Sequence, residues 1–252
     1  MKYCFATLAV GEPYETRTKE LYENLRERTT NCDFFITTNN SEYPDLGERI
    51  FVNRLNLEKL HDTRYGFSFF LNYKCLSLKH VVLHEKKMLE LNPEFEKYDY
   101  VIFTDGDWIM HEEFAEEKFL NLFKYMELDG LDMLFERPAR IGDGKKNPDM
   151  TFYRDKIFDY EILEHTKWDE AHVVNEQFFA FKNNPKFRFF VQRWEQFLWY
   201  SIANDIRNYP DGFEIGVSAL EADMKWSYSG WFGLIRNCFG FYTKENKYHT
   251  RF

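Results

Sequence analysis

The stretch Tyr98-Asp99-Tyr100-Val101-Ile102-Phe103-Thr104-Asp105-Gly106-Asp107 decides how this chain is read. Its middle is an apolar run fit for a buried strand, and the run ends abruptly in two carboxylates separated by one glycine. A second apolar group, Trp108-Ile109-Met110, follows at once. In open α/β sheets, ligands bind beyond the carboxyl ends of the strands, so Asp105 and Asp107 fall where a ligand is expected. Two close carboxylates with no Lys or Arg beside them in sequence repel each other, and a hard divalent cation such as Mg or Mn relieves that repulsion. As a bare tripeptide, Asp-Gly-Asp is also a common turn. Its place at the end of a buried strand favours the metal site.

The flanking sequence supplies the rest of an α/β pattern. Residues 2–10 predict a central strand, stopped by Gly11, Glu12 and Pro13. Residues 15–28 put Leu21, Tyr22 and Leu25 on one side of an amphipathic helix, and residues 34–38 predict a second strand, completing a β-α-β unit. A polar loop over 39–47 leads to a third short strand at 49–52 and an irregular or helical turn at 55–61. A long helix is expected over 67–91, closed by Pro93. After the opening strand come a helix over 113–125 and a strand over 132–135. Residues 136–168 are poorly patterned, and 140–148 read as a surface loop. A strand at 175–181, a break at Asn183-Asn184-Pro185, an aromatic helix over 187–203 and a helix from about 213 to 224 complete the series. Strands alternating with helices imply a mainly parallel sheet covered on both faces.

Composition sets bounds on function. At 252 residues the chain suits one large α/β domain, and 44% hydrophobic with 19% aromatic residues is enough for a sizeable core, which argues against disorder. A formal charge of -9 argues against nonspecific binding to nucleic acid or to an anionic membrane, both of which need positive charge to meet phosphate. Cys4, Cys32, Cys75 and Cys238 are far apart with no Cys-x-x-Cys pair, so they read as reduced core thiols. No signal-type segment and no apolar run of about 18 residues is present, so a soluble cytoplasmic protein without a transmembrane segment is expected.

The initial β-α-β unit, the mid-chain strand ending in Asp-x-Asp and the later strand and helix elements together resemble the nucleotide-sugar glycosyltransferases of the GT-A fold. The resemblance implies a single Rossmann-like domain over 1–252. Residues 1–107 would form the nucleotide-sugar-binding half, and 108–252 the acceptor-binding half with the carboxyl-terminal tail. It implies a metal-dependent transferase, a hexosyltransferase using a UDP-sugar, with Mn2+ or Mg2+ bridging the donor diphosphate and Asp105 and Asp107 as its ligands. The cation would neutralise charge on the departing nucleoside diphosphate.

Carried over residue by residue, Thr7-Leu8-Ala9-Val10-Gly11 resembles the nucleoside-holding loop, with Thr7, Ala9 and Gly11 as its contacts. Tyr14 stacks on a base or is simply a surface aromatic. Arg64 and Lys74 resemble basic residues that contact the nucleotide or diphosphate, although a helix charge normally faces solvent. Asp105 is shared between metal and ribose. His249, in Lys247-Tyr248-His249-Thr250-Arg251, resembles a late histidine that completes the metal site, and the alternative is a frayed terminus. Glu176, Asp211 and Glu214 are the catalytic candidates, each equally readable as an acid that favours a helix start. Neither the acceptor nor the stereochemical course is defined. The two alternative classes are a nucleotidyltransferase of related fold and a carbohydrate-binding protein without turnover. The first normally begins with a Gly-rich basic loop, which Ala9-Val10-Gly11-Glu12-Pro13 is not, and the retained acidic pair speaks against the second.

Overall fold

The computed structural model describes residues 1–56, 60–62, 67–69, 73–106, 108–110, 114–135, 138–140, 172–174, 178–203, 211–228 and 239–241. In chain order these form β1 (Tyr3–Leu8), α1 (Tyr14–Arg28), β2 (Cys32–Thr38), β3 (Ile50–Arg54), β4 (Leu60–Asp62), β5 (Phe67–Phe69) and α2 (Lys74–Leu91). Then come β6 (Tyr100–Thr104), β7 (Trp108–Met110), α3 (Glu116–Leu128), β8 (Met133–Phe135), β9 (Pro138–Arg140), β10 (His172–Val174) and β11 (Phe178–Lys182). The last are α4 (Pro185–Ala203), α5 (Asp211–Glu221), β12 (Trp226–Tyr228) and β13 (Phe239–Phe241).

Seven strands make one sheet in the order β12-β8-β11-β6-β1-β2-β3. The pairs β1–β2, β2–β3, β1–β6 and β8–β12 are parallel, and β11 runs antiparallel to both β6 and β8. The sheet is therefore mainly parallel, as expected, with one reversed strand inserted. β1 and β6 sit at its centre, where solvent is absent on both faces, and this is why residues 3–6 and 100–103 carry no polar alternation.

Each face has its own core. Against one face, α1 buries Thr18, Leu21, Tyr22 and Leu25, and α3 buries Phe119, Leu122, Phe123 and Met126. Both sets follow the i, i+3, i+4, i+7 spacing of one helical stripe. They cover Tyr3, Phe5, Phe34, Tyr100 and Ile102. The Tyr100 and Phe123 rings stack at 4.2 Å between centroids. Against the other face, α2, α4 and α5 cover Cys4, Ala6, Phe35, Val101 and Phe103. α4 starts at a proline whose missing N–H is no loss in a first turn, and Asn184 Oδ1 accepts the Phe187 N–H at 3.0 Å as its cap. The expected break at Pro185 is thus a helix start.

Two further expectations are corrected. The helix expected over 67–91 begins at Lys74, because Phe67 and Phe69 alternate around Ser68 with the period of a strand, and Phe69 pairs with Leu60 in a β4–β5 hairpin. The same hairpin gives Leu60 and His61 a strand conformation in place of a helical turn. Of the loop expected over 140–148, Arg140 ends β9, and 141–148 lie outside the described residues. Cys4, Cys32 and Cys75 are buried free thiols, and burial pushes those of Cys4 and Cys32 well up from the ordinary thiol value. No helix among the described residues is long and apolar enough to cross a membrane.

Candidate functional site

Strands β2 and β3 lie on one side of β1 and β6 on the other, so the chain reverses its direction of growth across the sheet between β1 and β6. The crevice outside the carboxyl ends of two such strands is the position where open α/β sheets take ligands. Leu8 to Gly11 leave β1 at this edge, and Asp105-Gly106 leave β6 beside them.

Two hydroxyls tie the two exits together. Thr7 Oγ1 donates to the Thr104 carbonyl at 2.7 Å, and Thr18 Oγ1, from α1, donates to the Gly106 carbonyl at 3.3 Å. Gly106 is held so close that a Cβ there would lie 2.6 Å from Thr18 Oγ1 and 3.3 Å from the Leu8 carbonyl. The glycine between the two acids is therefore required by close approach, a stronger constraint than turn preference. Gly106→Ala is expected to cost about 1–3 kcal/mol through overpacking, and Thr18→Ala in the same chain recovers part of the loss, as urea unfolding midpoints will show.

Asp105 faces α2. Its Oδ1 lies 2.9 Å from Lys74 Nζ, with the Lys74 side chain only 4% exposed and that of Asp105 20%. Burial holds the Asp105 carboxyl above the usual carboxylate range, and the Lys74 ammonium opposes that shift. The arrangement explains how a lysine tolerates the first position of a helix, where the macrodipole is positive: Asp105 supplies the compensating charge. α2 has no acidic residue in its first turn and no side-chain cap. The acids are thus not without a neighbouring cation, as adjacency in sequence had implied, because a lysine 31 positions earlier folds onto one of them.

The β1 exit is organised by α1. Gly11 has φ +76, a conformation that suits glycine, and its N–H donates to Glu15 Oε1 at 3.1 Å. Glu15 Oε2 accepts from Asn40 Nδ2 at 2.7 Å, and the Glu15 carbonyl accepts from the Tyr43 hydroxyl at 3.0 Å. Glu15, Thr18, Asn40 and Tyr43 were not singled out in the sequence. Only Glu15, four residues after a glycine at a helix start, carried a readable signal.

The expected residues divide accordingly. Thr7, Ala9, Gly11, Lys74 and Asp105 gather at or just below this edge. Thr7 and Ala9, expected as nucleoside contacts, are fully buried. The Thr7 hydroxyl holds β6, and the Ala9 N–H donates to the Thr37 carbonyl at 2.8 Å. Tyr14 begins α1 and is 40% exposed. Glu214, one of the catalytic candidates, is fully buried in α5, and its Oε2 accepts from Trp194 Nε1 at 2.9 Å. Asp211 begins α5. Arg64, Asp107, Glu176 and His249 lie outside the described residues. Among the described residues no three His, Cys, Asp or Glu side chains gather to hold a metal ion.

A cleft of about 1010 Å³ opens at the opposite edge of the sheet, lined by Lys2, Asp33, Phe95, Tyr98 and Asn183 among others. Its polar groups largely serve one another: Tyr98 donates to Asp33 Oδ2 at 2.7 Å, and Lys2 Nζ sits 4.4 Å above the Phe95 ring. No family model matches the sequence, and no curated protein matches it.

Proposed function

We propose that the chain is a metal-dependent glycosyltransferase of the GT-A type, a hexosyltransferase that moves a sugar from a nucleotide sugar, first of all a UDP-sugar, to an acceptor. The observation that carries this reading is the position of Asp105, at the carboxyl end of a central strand and beside the loop that leaves β1, where the strand order reverses.

The donor set suits a hard cation. Asp105 offers a carboxylate at the strand end, Asp107 follows two residues later in sequence, and carboxylate oxygens are the ligands that Mg and Mn prefer. A cation bound there supplies neutralisation of the charge that develops on the departing nucleoside diphosphate. Asp105 and Asp107 would hold it, with His249 as a third protein ligand. The Gly11 turn bounds the nucleoside, and the exposed Tyr14 ring offers a face for a base. Glu176 and Asp211 stay as candidates for work on the acceptor, and Arg64 for contact with the diphosphate. The cytoplasm is the proposed place of work.

Calorimetry tests this directly. UDP is expected to bind in the presence of Mn, and Asp107→Asn is expected to weaken that binding at least about 100-fold, the scale of losing a paired charge in a binding site. Unchanged binding in that variant removes the metal assignment.

A further inference from the structure

We infer that β3, the open edge of the sheet, pairs antiparallel with β3 of a second copy of this chain, forming a dimer with its dyad at Val52. The inference stands apart from the functional reading above and does not need it.

Hydrogen-bond accounting carries the argument. β3 ends the seven-stranded order, and among the described residues no strand lies beyond it. Its parallel register on β2 sets Phe34 against Ile50 and Thr38 against Arg54. The Phe34 N–H donates to the Arg49 carbonyl at 2.7 Å, and the Leu55 N–H donates to the Thr38 carbonyl at 2.8 Å. These two bonds fix the phase of the ladder. Arg49, Phe51, Asn53 and Leu55 turn their peptide groups towards β2, so Ile50, Val52 and Arg54 turn theirs outwards. The Ile50 N–H is taken by the Gly47 carbonyl at 3.4 Å. The Ile50 carbonyl, the N–H and carbonyl of Val52 and the Arg54 N–H have no hydrogen-bond partner among the described residues.

Edge strands are normally blunted by Lys, Pro, a bulge or an inward-pointing charge. β3 reads Ile50-Phe51-Val52-Asn53-Arg54, with no Pro, no Lys and an unbroken register against β2. Its one charge is drawn back from the edge: Arg54 Nε donates to the Tyr43 carbonyl at 2.9 Å, and its Nη2 lies 2.7 Å from Asp45 Oδ1. The half-buried Phe51 ring is fixed in place, stacked on Phe35 at 5.0 Å between centroids.

The same strand reversed supplies what this edge lacks. In an antiparallel pair centred on Val52, the Val52 N–H meets the carbonyl of Val52 of the second copy. The Arg54 N–H meets the Ile50 carbonyl of that copy, and symmetry repeats each bond. Val52 then opposes Val52, Phe51 opposes Asn53 and Ile50 opposes Arg54, so no like charges face each other. An unguarded edge that is its own complement commits the occupant to a second copy.

The experiment is sedimentation velocity on the full chain at about 1 and about 100 µM, a range that spans the dissociation of a small interface. Amide hydrogen exchange over residues 50–54 is followed at both concentrations. A species of twice the chain mass is expected at the higher one, with the Val52 and Arg54 amides exchanging at least about tenfold more slowly there. Val52→Pro removes the central donor at a position where an edge strand tolerates proline, because the N–H faces outwards. It is expected to stay monomeric at about 100 µM with an unchanged circular dichroism spectrum. Val52→Lys sets two ammonium groups face to face across the dyad and is expected to be monomeric too. A monomer at both concentrations overturns the inference, as does a dimer whose 50–54 amides exchange at the monomer's rate. A folded Val52→Pro that still dimerises also overturns it. If Val52→Pro does not fold, Val52→Lys and exchange on the unmodified protein decide.

Discussion

Lys74→Met is expected to lower the stability of the fold by about 3 kcal/mol, because it leaves the largely buried Asp105 carboxylate without its partner. For a chain of this length that is a fall of roughly 6–12 °C in the unfolding midpoint. The magnitude follows from burial on both sides of the pair, 4% and 20% exposed, which shields it from the screening that makes surface ion pairs nearly worthless. The double variant Lys74→Met/Asp105→Leu is expected to recover most of the loss, since replacing a buried pair by apolar groups removes the uncompensated charge along with the attraction. Differential scanning calorimetry of the two variants separates this account from one in which Lys74 only fills space. In that case the single variant would unfold at the temperature of the unmodified protein.

The second large effect concerns acid. His80 and His84 lie one turn apart on α2 and both face the Phe35 ring, at 5.0 and 5.1 Å between centroids. Burial first, and the neighbouring His84 second, push the His80 pKa down to about 4, and its Nδ1 is buried with no hydrogen-bond partner. His84 is lowered too, by burial, with the Asp33 carboxylate opposing and Lys2 and Lys87 reinforcing the shift. The sign of the linkage is set by where the protons go. Between an unfolded value near 6.5 and a folded value near 4, the unfolded chain binds more protons, so stability rises with pH through this window. The stabilising term is present in full above about pH 6.5 and is lost as pH falls towards 4, on the order of 3 kcal/mol from His80. Urea unfolding at pH 7, 5.5 and 4.5 is expected to show the fall, and His80→Leu to flatten most of it. A slope that survives in His80→Leu would assign the acid sensitivity to other groups.

Residues with one dominant environment could be read in advance. The stripe Leu21, Tyr22, Leu25 of α1 and the unbroken apolar run of β6 each meet a single partner surface, so local period determines both. Where two periods compete, the nearer pairing decides: Phe67 and Phe69 fit a helix continued from Lys74, yet a hairpin partner at Leu60 wins. The reversed strand β11 was not distinguishable from a parallel one, because direction depends on the connection and leaves no mark on a strand buried on both faces. Within the site, Asp105 was legible from its place at a strand end. Its pairing with Lys74 was not, since the contact depends on where the first turn of α2 lands above β6. The contact of Glu214 with the Trp194 indole was not legible, because an acid near a helix start reads alike whichever way it faces. Thr18 left no trace, its role being a close approach to Gly106 from a separate element.

We propose that Asp105 and Asp107 mark a site for a cation and a nucleotide sugar. Donor hydrolysis tests it most directly, with a panel of nucleotide sugars incubated with the protein and MnCl2 and release of the nucleoside diphosphate measured. Hydrolysis of one donor class, a UDP-sugar first, is expected, abolished by a chelator and by Asp107→Asn. Hydrolysis of no donor in the panel, or turnover that survives both the chelator and the variant, would contradict it.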